Sequence, residues 1–228
     1  MRLTATWPSA VLFDCDGVLI DNETPTRDIL HVWAVSRLKL PAGMADDFAA
    51  RCRGIPTARF TIWPEIAAAQ VTEIELAELD ACVERMVLAH ARPMDGLVQA
   101  IDSLSCIKAV VSNSSLRWIR HVLALIQLEH AFGQNLFSAN GLPSKPDPAV
   151  YRHAVATLKL PPSCCIAIED SPAGVCAARQ ARIPTIGFVS SQQDADTGRA
   201  LLAAGAADIA VGMSMLPFKI KQVMADNS

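Results

Sequence analysis

Apolar positions follow two periodicities along the chain. Short, nearly uninterrupted apolar runs recur at Ala10–Phe13, Ile107–Val111, Asn135–Phe137, Cys164–Ile168 and Thr185–Val189, each ending in small or acidic residues. Runs of this length with β-branched residues predict parallel strands buried on both faces. Between the later runs, apolar residues recur at helical spacing over Leu116–Leu128, Ala149–Leu158 and Ala173–Ala181. Strands alternating with helices predict an α/β fold with a doubly wound parallel sheet, whose ligands bind beyond the carboxyl ends of the strands. Ala207–Val211 reads as a last edge strand and the final residues as a solvated helix.

The interval between the first two strands is too long for one crossover. From about Thr24 to Ala91 the pattern is helical instead, over Thr24–Leu38, Ala42–Cys52, Pro56–Gln70 and Ile74–His90. In the last of these, Leu76, Leu79, Val83, Met86 and Val87 fall on one face, as in an amphipathic helix. The expected organisation is a core domain of residues 1–20 and 94–228 with an all-helical insertion at 21–93. Val18–Glu23 and Arg92–Gly96 would be its hinges, the second marked by Pro93 and Gly96.

Composition narrows the setting. Half of the 228 residues are apolar, ample for a buried core, and the net charge of −3 comes without any Lys/Arg run. Nucleic acid and anionic membrane surfaces are therefore not expected partners. No apolar run approaches the roughly 20 residues that span a bilayer. The seven cysteines are scattered, without C-x-x-C pairs or metal-ligand spacing, and read as reduced thiols. Residues Met1–Ala10 lack a basic stretch followed by an apolar one, so a cytoplasmic protein is expected.

Four motifs end strands or open helices. Phe13-Asp14-Cys15-Asp16-Gly17-Val18-Leu19 follows the first strand, and the i, i+2 spacing aims Asp14 and Asp16 the same way. Taken alone, it equally describes an acidic turn in which Gly17 supplies a positive φ. Val110-Val111-Ser112-Asn113 ends the second strand and leads into Ser114-Ser115, either an anion site at a helix start or simply a helix cap. Lys145, in Ser144-Lys145-Pro146-Asp147-Pro148, precedes a helix and by itself reads as a surface charge. Ile168-Glu169-Asp170-Ser171-Pro172 is an acid pair before a helix with Ser171 at the cap and Pro172 at its first position.

Together and in this order, the four motifs resemble those of the haloacid dehalogenase superfamily, in its phosphatase form, from about Ala10 to Gly187. The resemblance implies that Asp14 is the nucleophile, forming an aspartyl-phosphate, and that Asp16 protonates the leaving oxygen and then activates water. It implies that Ser112 and the Asn113 N–H hold the phosphoryl group with Lys145. It also implies a Mg²⁺ ion held by Asp14, Asp16, Asp170 and Glu169. Carboxylate nucleophiles, carboxyl proton donors and oxygen-ligated Mg²⁺ suit that chemistry.

The insertion resembles the helical caps of β-phosphoglucomutases, phosphoglycolate phosphatases and sugar-phosphate phosphatases, and Phe13–Glu23 is most similar to the last group. Asp16 argues against a dehalogenase. Lys39, the only lysine in the insertion, argues against a phosphonatase. The alternative is a phosphosugar mutase, whose cap loop grips a second phosphate with an arginine. Here Arg53-Gly54-Ile55-Pro56-Thr57 carries Thr57 at that place, which favours hydrolysis, although Arg51, Arg53 and Arg59 are nearby cations. Glu23, Arg53 and Gly54 are the expected substrate contacts. The expectation is a monomeric Mg²⁺-dependent phosphatase of a small phosphorylated metabolite, with a degenerate binding protein as the non-catalytic alternative.

Overall fold

The computed structural model describes residues 7–52, 57–190 and 195–226. Among them the strands are β1 (Ala10–Phe13), β2 (Ile20–Asp21), β3 (Arg92–Pro93), β4 (Ile107–Ser112), β5 (Leu136–Ser138), β6 (Cys165–Glu169), β7 (Thr185–Val189) and β8 (Asp208–Val211). The helices are α1 (Glu23–Arg37), α2 (Ala42–Arg51), α3 (Pro64–Ala68), α4 (Glu73–His90), α5 (Leu97–Ser103), α6 (Leu116–Leu125), α7 (Glu129–Phe132), α8 (Ala149–Leu158), α9 (Pro172–Gln180), α10 (Ala195–Ala204) and α11 (Leu216–Asp226). The chain divides into two compact units, Met1–Ile20 with Pro93–Ser228, and Asp21–Arg92. β2 and β3, where the chain passes between the units, pair as a two-stranded sheet.

The first unit is built on a parallel sheet of order β5-β4-β1-β6-β7-β8. Starting at β1, the chain winds outward through β4 and β5, then returns to β6 and winds the other way. That reversal is the doubly wound topology the sequence predicts, and it opens a crevice beside β1. Every residue of β1, β6 and β7 is buried, so these strands are covered on both faces. Ala10, Leu12, Ala109, Val111, Cys165 and Ala167 face α8 and α9 through Val150, Tyr151, Ala154, Ala177 and Ala178. On the opposite face Phe13 meets Phe132 of α7 edge to face, ring centres 5.9 Å apart.

Register decides where the strand ends lie. Phe13 stands opposite Val110 of β4 and Ile168 of β6. One residue on, Asp14 therefore emerges beside Glu169, and Ser112 ends β4 on the same sheet edge. The expected strand at Asn135–Phe137 is displaced by one residue to Leu136–Ser138.

The second unit is helical. Phe48 of α2 is its centre, with Trp63 at 5.3 Å in T-shaped contact, and Phe60 stacks on Trp63 at 4.7 Å. Leu30, Ala34, Ile66, Leu76 and Leu79 complete this core. α4 begins with a reciprocal cap in which the Thr72 hydroxyl accepts from the Glu75 N–H and the Glu75 carboxylate accepts from the Thr72 N–H. Glu75 also pairs with Arg37 of α1 at 2.6 Å.

Three sequence expectations need correction. Pro56–Gln70 is not one helix: a 3₁₀ stretch over Thr57–Ile62 precedes α3, because Pro64 drives Trp63 into extended backbone (φ −94°, ψ 138°). Pro56 itself lies outside the described residues. Leu116–Leu128 breaks after Leu125, with Gln127 at φ 58° before α7. The C-terminal helix is not simply solvated, since α11 buries Leu216, Ile220 and Val223. Among the described residues no helix is long and apolar enough to cross a membrane.

Candidate active site

Asp14 leaves β1 with its N–H still donating to Ile168 O at 3.0 Å, so the sheet ladder holds it directly. The chain then turns back on itself, Gly17 N–H donating to Ile20 O at 3.0 Å with Gly17 at φ 81°. A side chain at Gly17 would be strained by that φ and would overlap the Asp170 carboxylate. Glycine thus lets the loop after β1 lie against the loop after β6.

Lys145 ties this edge together. Its ammonium donates to Asp14 Oδ1 at 2.7 Å, Glu169 Oε1 at 2.6 Å and the Val111 carbonyl at 2.7 Å. The three bonds use the three donors of an ammonium. The Tyr151 ring lies 5.1 Å from it. The backbone is fixed as well, the Lys145 N–H donating to Asn113 Oδ1 at 2.8 Å. A lysine that reads as a surface charge in isolation is in fact 8 % exposed. Burial alone would lower its pKa, but the charges of Asp14 and Glu169 outweigh that and hold it above the ordinary lysine value.

Glu169 is fully buried. Burial pushes its carboxyl upward, with the Asp14 charge adding to the effect, while Lys145 and the Tyr151 hydroxyl oppose it. Tyr151 donates to Oε1 at 2.5 Å. Glu169 Oε2 has no hydrogen-bond partner, and a Cβ on Gly174 would overlap the same carboxylate. A buried carboxylate oxygen without a donor is costly unless a cation or water meets it.

One oxygen from each of Asp14, Glu169 and Asp170 lies within 4.8 Å of the others. Three carboxyl groups against one ammonium leave an acidic excess. An all-oxygen donor set of this kind, with the orphaned Glu169 Oε2 alongside, fits a hard divalent cation. The donor chemistry of the buried acidic cluster thus fits a metal site.

Asp16 is held separately. Its Oδ2 accepts from the Ser114 hydroxyl at 2.6 Å and its Oδ1 from Trp118 Nε1–H at 2.9 Å. Burial, then the Asp14 charge, raises its pKa, against the pull of these two donors. Ser112 is buried at the end of β4, and its hydroxyl oxygen accepts the Ser114 N–H at 3.0 Å.

Of the residues singled out from sequence, Asp14, Asp16, Ser112, Asn113, Lys145, Glu169 and Asp170 converge on one edge of the sheet. Arg53 and Gly54 lie outside the described residues. Glu23 opens α1, with its side chain outside them. Ser114, Trp118 and Tyr151 were not anticipated. Ser114 precedes the cap of α6 and Trp118 lies in its first turn, and no local sequence signal marks either for the site. Tyr151, the chain's single tyrosine, sits six residues after Lys145 in the same loop-to-helix segment. A groove of about 980 Å³ between α1 and α4, lined by Ile29, Val32, Trp33 and Met86, contains none of the converging residues.

Known proteins are similar to this chain in sequence and fold. A family profile for haloacid dehalogenase-like hydrolases matches residues 8–182. A CBBY-like protein of Arabidopsis thaliana is 32 % identical over 212 residues, covering 79 % of this chain and 63 % of the plant protein. Hexitol phosphatase B of Escherichia coli K12 is 29 % identical over 194 residues, covering 78 % of this chain and 82 % of the enzyme. The crystal structure of a conserved haloacid dehalogenase-like protein of unknown function from Agrobacterium tumefaciens C58 superimposes with a TM-score of 0.83. That pair is 25 % identical and covers 95 % of this chain and 99 % of the other. The match spans the sheet, the inserted helical unit and all four strand-end motifs, and so the chain belongs to the family of haloacid dehalogenase-like hydrolases.

Proposed function

We propose that this hydrolase is a Mg²⁺-dependent phosphomonoesterase that cleaves a small phosphorylated metabolite of the sugar-phosphate class through an aspartyl-phosphate on Asp14. One observation carries the reading: the Lys145 ammonium bonds Asp14 and Glu169 at once, beside Asp170, at the open end of β1. An acid destined to attack a phosphate dianion needs neighbouring positive charge, and this site supplies one cation and the ligands for another. In that reading Asp14, Asp170 and the Asp16 carbonyl hold Mg²⁺ with Glu169 beside them, and the ion screens the carboxylates from the phosphate.

The chain's own residues do the rest. Ser112, the Asn113 N–H and Lys145 receive the phosphoryl oxygens. The Asp14 carboxylate attacks phosphorus in line, the bond from phosphorus to the ester oxygen breaks, and Asp16 gives its proton to the departing alkoxide. Asp16, now a carboxylate, takes a proton from water as that water attacks the aspartyl-phosphate. Phosphate leaves and Asp14 is restored. Splitting the displacement in two and supplying a proton at each half are the sources of rate.

The helical unit is, in this reading, a cap that selects substrate. Hydrolysis rather than phosphoryl transfer between sugar hydroxyls is supported by how its groups are engaged. The Thr57 hydroxyl donates to Asp80 Oδ1 at 2.7 Å. Arg51 pairs with Glu65 at 2.5 Å and lies over the Trp63 ring. Thr57, which stands where a mutase carries its phosphate-gripping arginine, is thus uncharged and engaged, and Arg51 is already paired. Arg53, Gly54 and Glu23 are retained as proposed substrate contacts. All seven cysteines are free, which supports a reducing, cytoplasmic setting. A monomer is the proposed state.

Acid-quenched enzyme mixed with a hexose or hexitol phosphate and Mg²⁺ tests this proposal. Peptide mass spectrometry is expected to find the phosphoryl group on Asp14. A product mixture of isomerised sugar phosphate with little free phosphate would identify a mutase instead.

A further inference from the structure

Resting on the phosphatase reading, we infer that Trp118 and Ser114 are positioning residues that orient the Asp16 carboxyl, the proposed proton donor, by holding both of its oxygens. An indole N–H donates and never accepts. Bonded to Trp118 Nε1–H at 2.9 Å, Oδ1 is therefore fixed as an acceptor. Oδ2 faces the Ser114 hydroxyl at 2.6 Å, a group that both donates and accepts.

The frame around these two residues is rigid. Ser115 caps α6 by accepting the Trp118 N–H at 3.1 Å, which fixes the first helical turn and the indole with it. The Ser114 N–H is held by Ser112 Oγ at 3.0 Å, and its carbonyl accepts from Ser138 Oγ at 2.6 Å. One short segment thus connects the proposed phosphoryl-binding Ser112 to the proposed proton donor Asp16. A carboxyl fixed at both oxygens delivers its proton along one direction, the pre-organisation that general acid catalysis requires.

The leaving group separates the two roles. An alkyl phosphate needs a proton on its departing oxygen, whereas 2,4-dinitrophenyl phosphate leaves as a stable phenolate. The experiment compares kcat/KM for glycerol 1-phosphate and for the aryl ester in the wild type, Trp118→Phe, Ser114→Ala and Ser114→Thr. Loss of the indole N–H or of the hydroxyl is expected to lower the alkyl-to-aryl ratio by on the order of tenfold. Ser114→Thr, which keeps the hydroxyl, is expected to restore it.

Equal losses on both esters, or none on either, would overturn the assignment and leave Trp118 a packing residue. Aryl turnover also reports that a variant has folded, and if Trp118→Phe does not, Ser114→Ala alone decides. A wild type releasing phosphate from neither of these esters nor from any hexose or hexitol phosphate refutes the phosphatase reading, and this assignment with it. A wild type active on both, with an unchanged ratio in the variants, refutes this assignment alone.

Discussion

The two units handle charge in opposite ways. Among the described residues, every buried ionisable carboxyl or ammonium group belongs to the sheet unit: Asp14, Lys145, Glu169 and Asp170. The helical unit buries an aromatic and aliphatic centre around Phe48, Phe60 and Trp63. Its charges pair with one another near the surface, as in Arg37–Glu75 and Arg51–Glu65. Buried charge is costly and persists only where geometry over-determines it. In this chain parallel strands in fixed register supply that geometry. The unit that holds reactive carboxylates together is therefore the sheet, and the helical unit is free to vary its loops.

The sharpest way to break the comparison is at its charged centre. Lys145→Met removes the ammonium while leaving Asp14 and Glu169 buried. The expected result is a loss of about 3–5 kcal/mol of stability, read by urea unfolding of the sheet unit, together with loss of phosphate release. Gly174→Ala should come next, because the added methyl displaces the Glu169 carboxylate. A destabilisation of about 1–3 kcal/mol is expected, read by the same unfolding curve. Substitution in the helical unit should act differently. Arg53→Ala is expected to raise KM for the preferred substrate by roughly tenfold while affecting a generic aryl phosphate less, as loss of a remote substrate contact does.

The smallest effect concerns pH. The Arg37 side chain and the Thr72 cap hold Glu75 well below the usual carboxylate range, at about 2. A carboxyl depressed on folding stabilises at pH values above its unfolded pKa, and that contribution fades as pH falls toward the folded value. Glu75→Gln should therefore lower the melting temperature slightly at pH 7. Wild type and variant should converge between about pH 4.5 and 2. A constant gap across that range would remove the charge from the explanation.

The same contrast governs how much was legible beforehand. Strand-end motifs were readable because parallel strands are short, apolar and followed at once by the residues they position, as with Asp14 after Phe13 and Glu169 after Ile168. Lys145 was readable only through its motif. No local property shows that it is buried, since its burial depends on partners at positions 14, 111 and 169. Trp118 was hidden for a different reason: its ring belongs to an amphipathic helix, and only the fold shows its N–H reaching Asp16 across 102 positions of sequence. The Thr57–Ala68 segment misled because its apolar spacing is helical while Pro64 forbids an unbroken helix. Residues that choose substrate left the weakest trace, since a loop contact follows no periodicity.

The central claim concerns Asp14 and a metal. Phosphate release should be followed over a panel of hexose, hexitol and glycolate phosphates, with Mg²⁺ or with EDTA, for the wild type and Asp14→Asn. Release by the wild type that requires Mg²⁺, and that vanishes in Asp14→Asn, is the expected result. Release that persists in EDTA, or in Asp14→Asn, would contradict a metal-dependent aspartyl-phosphate mechanism at this site.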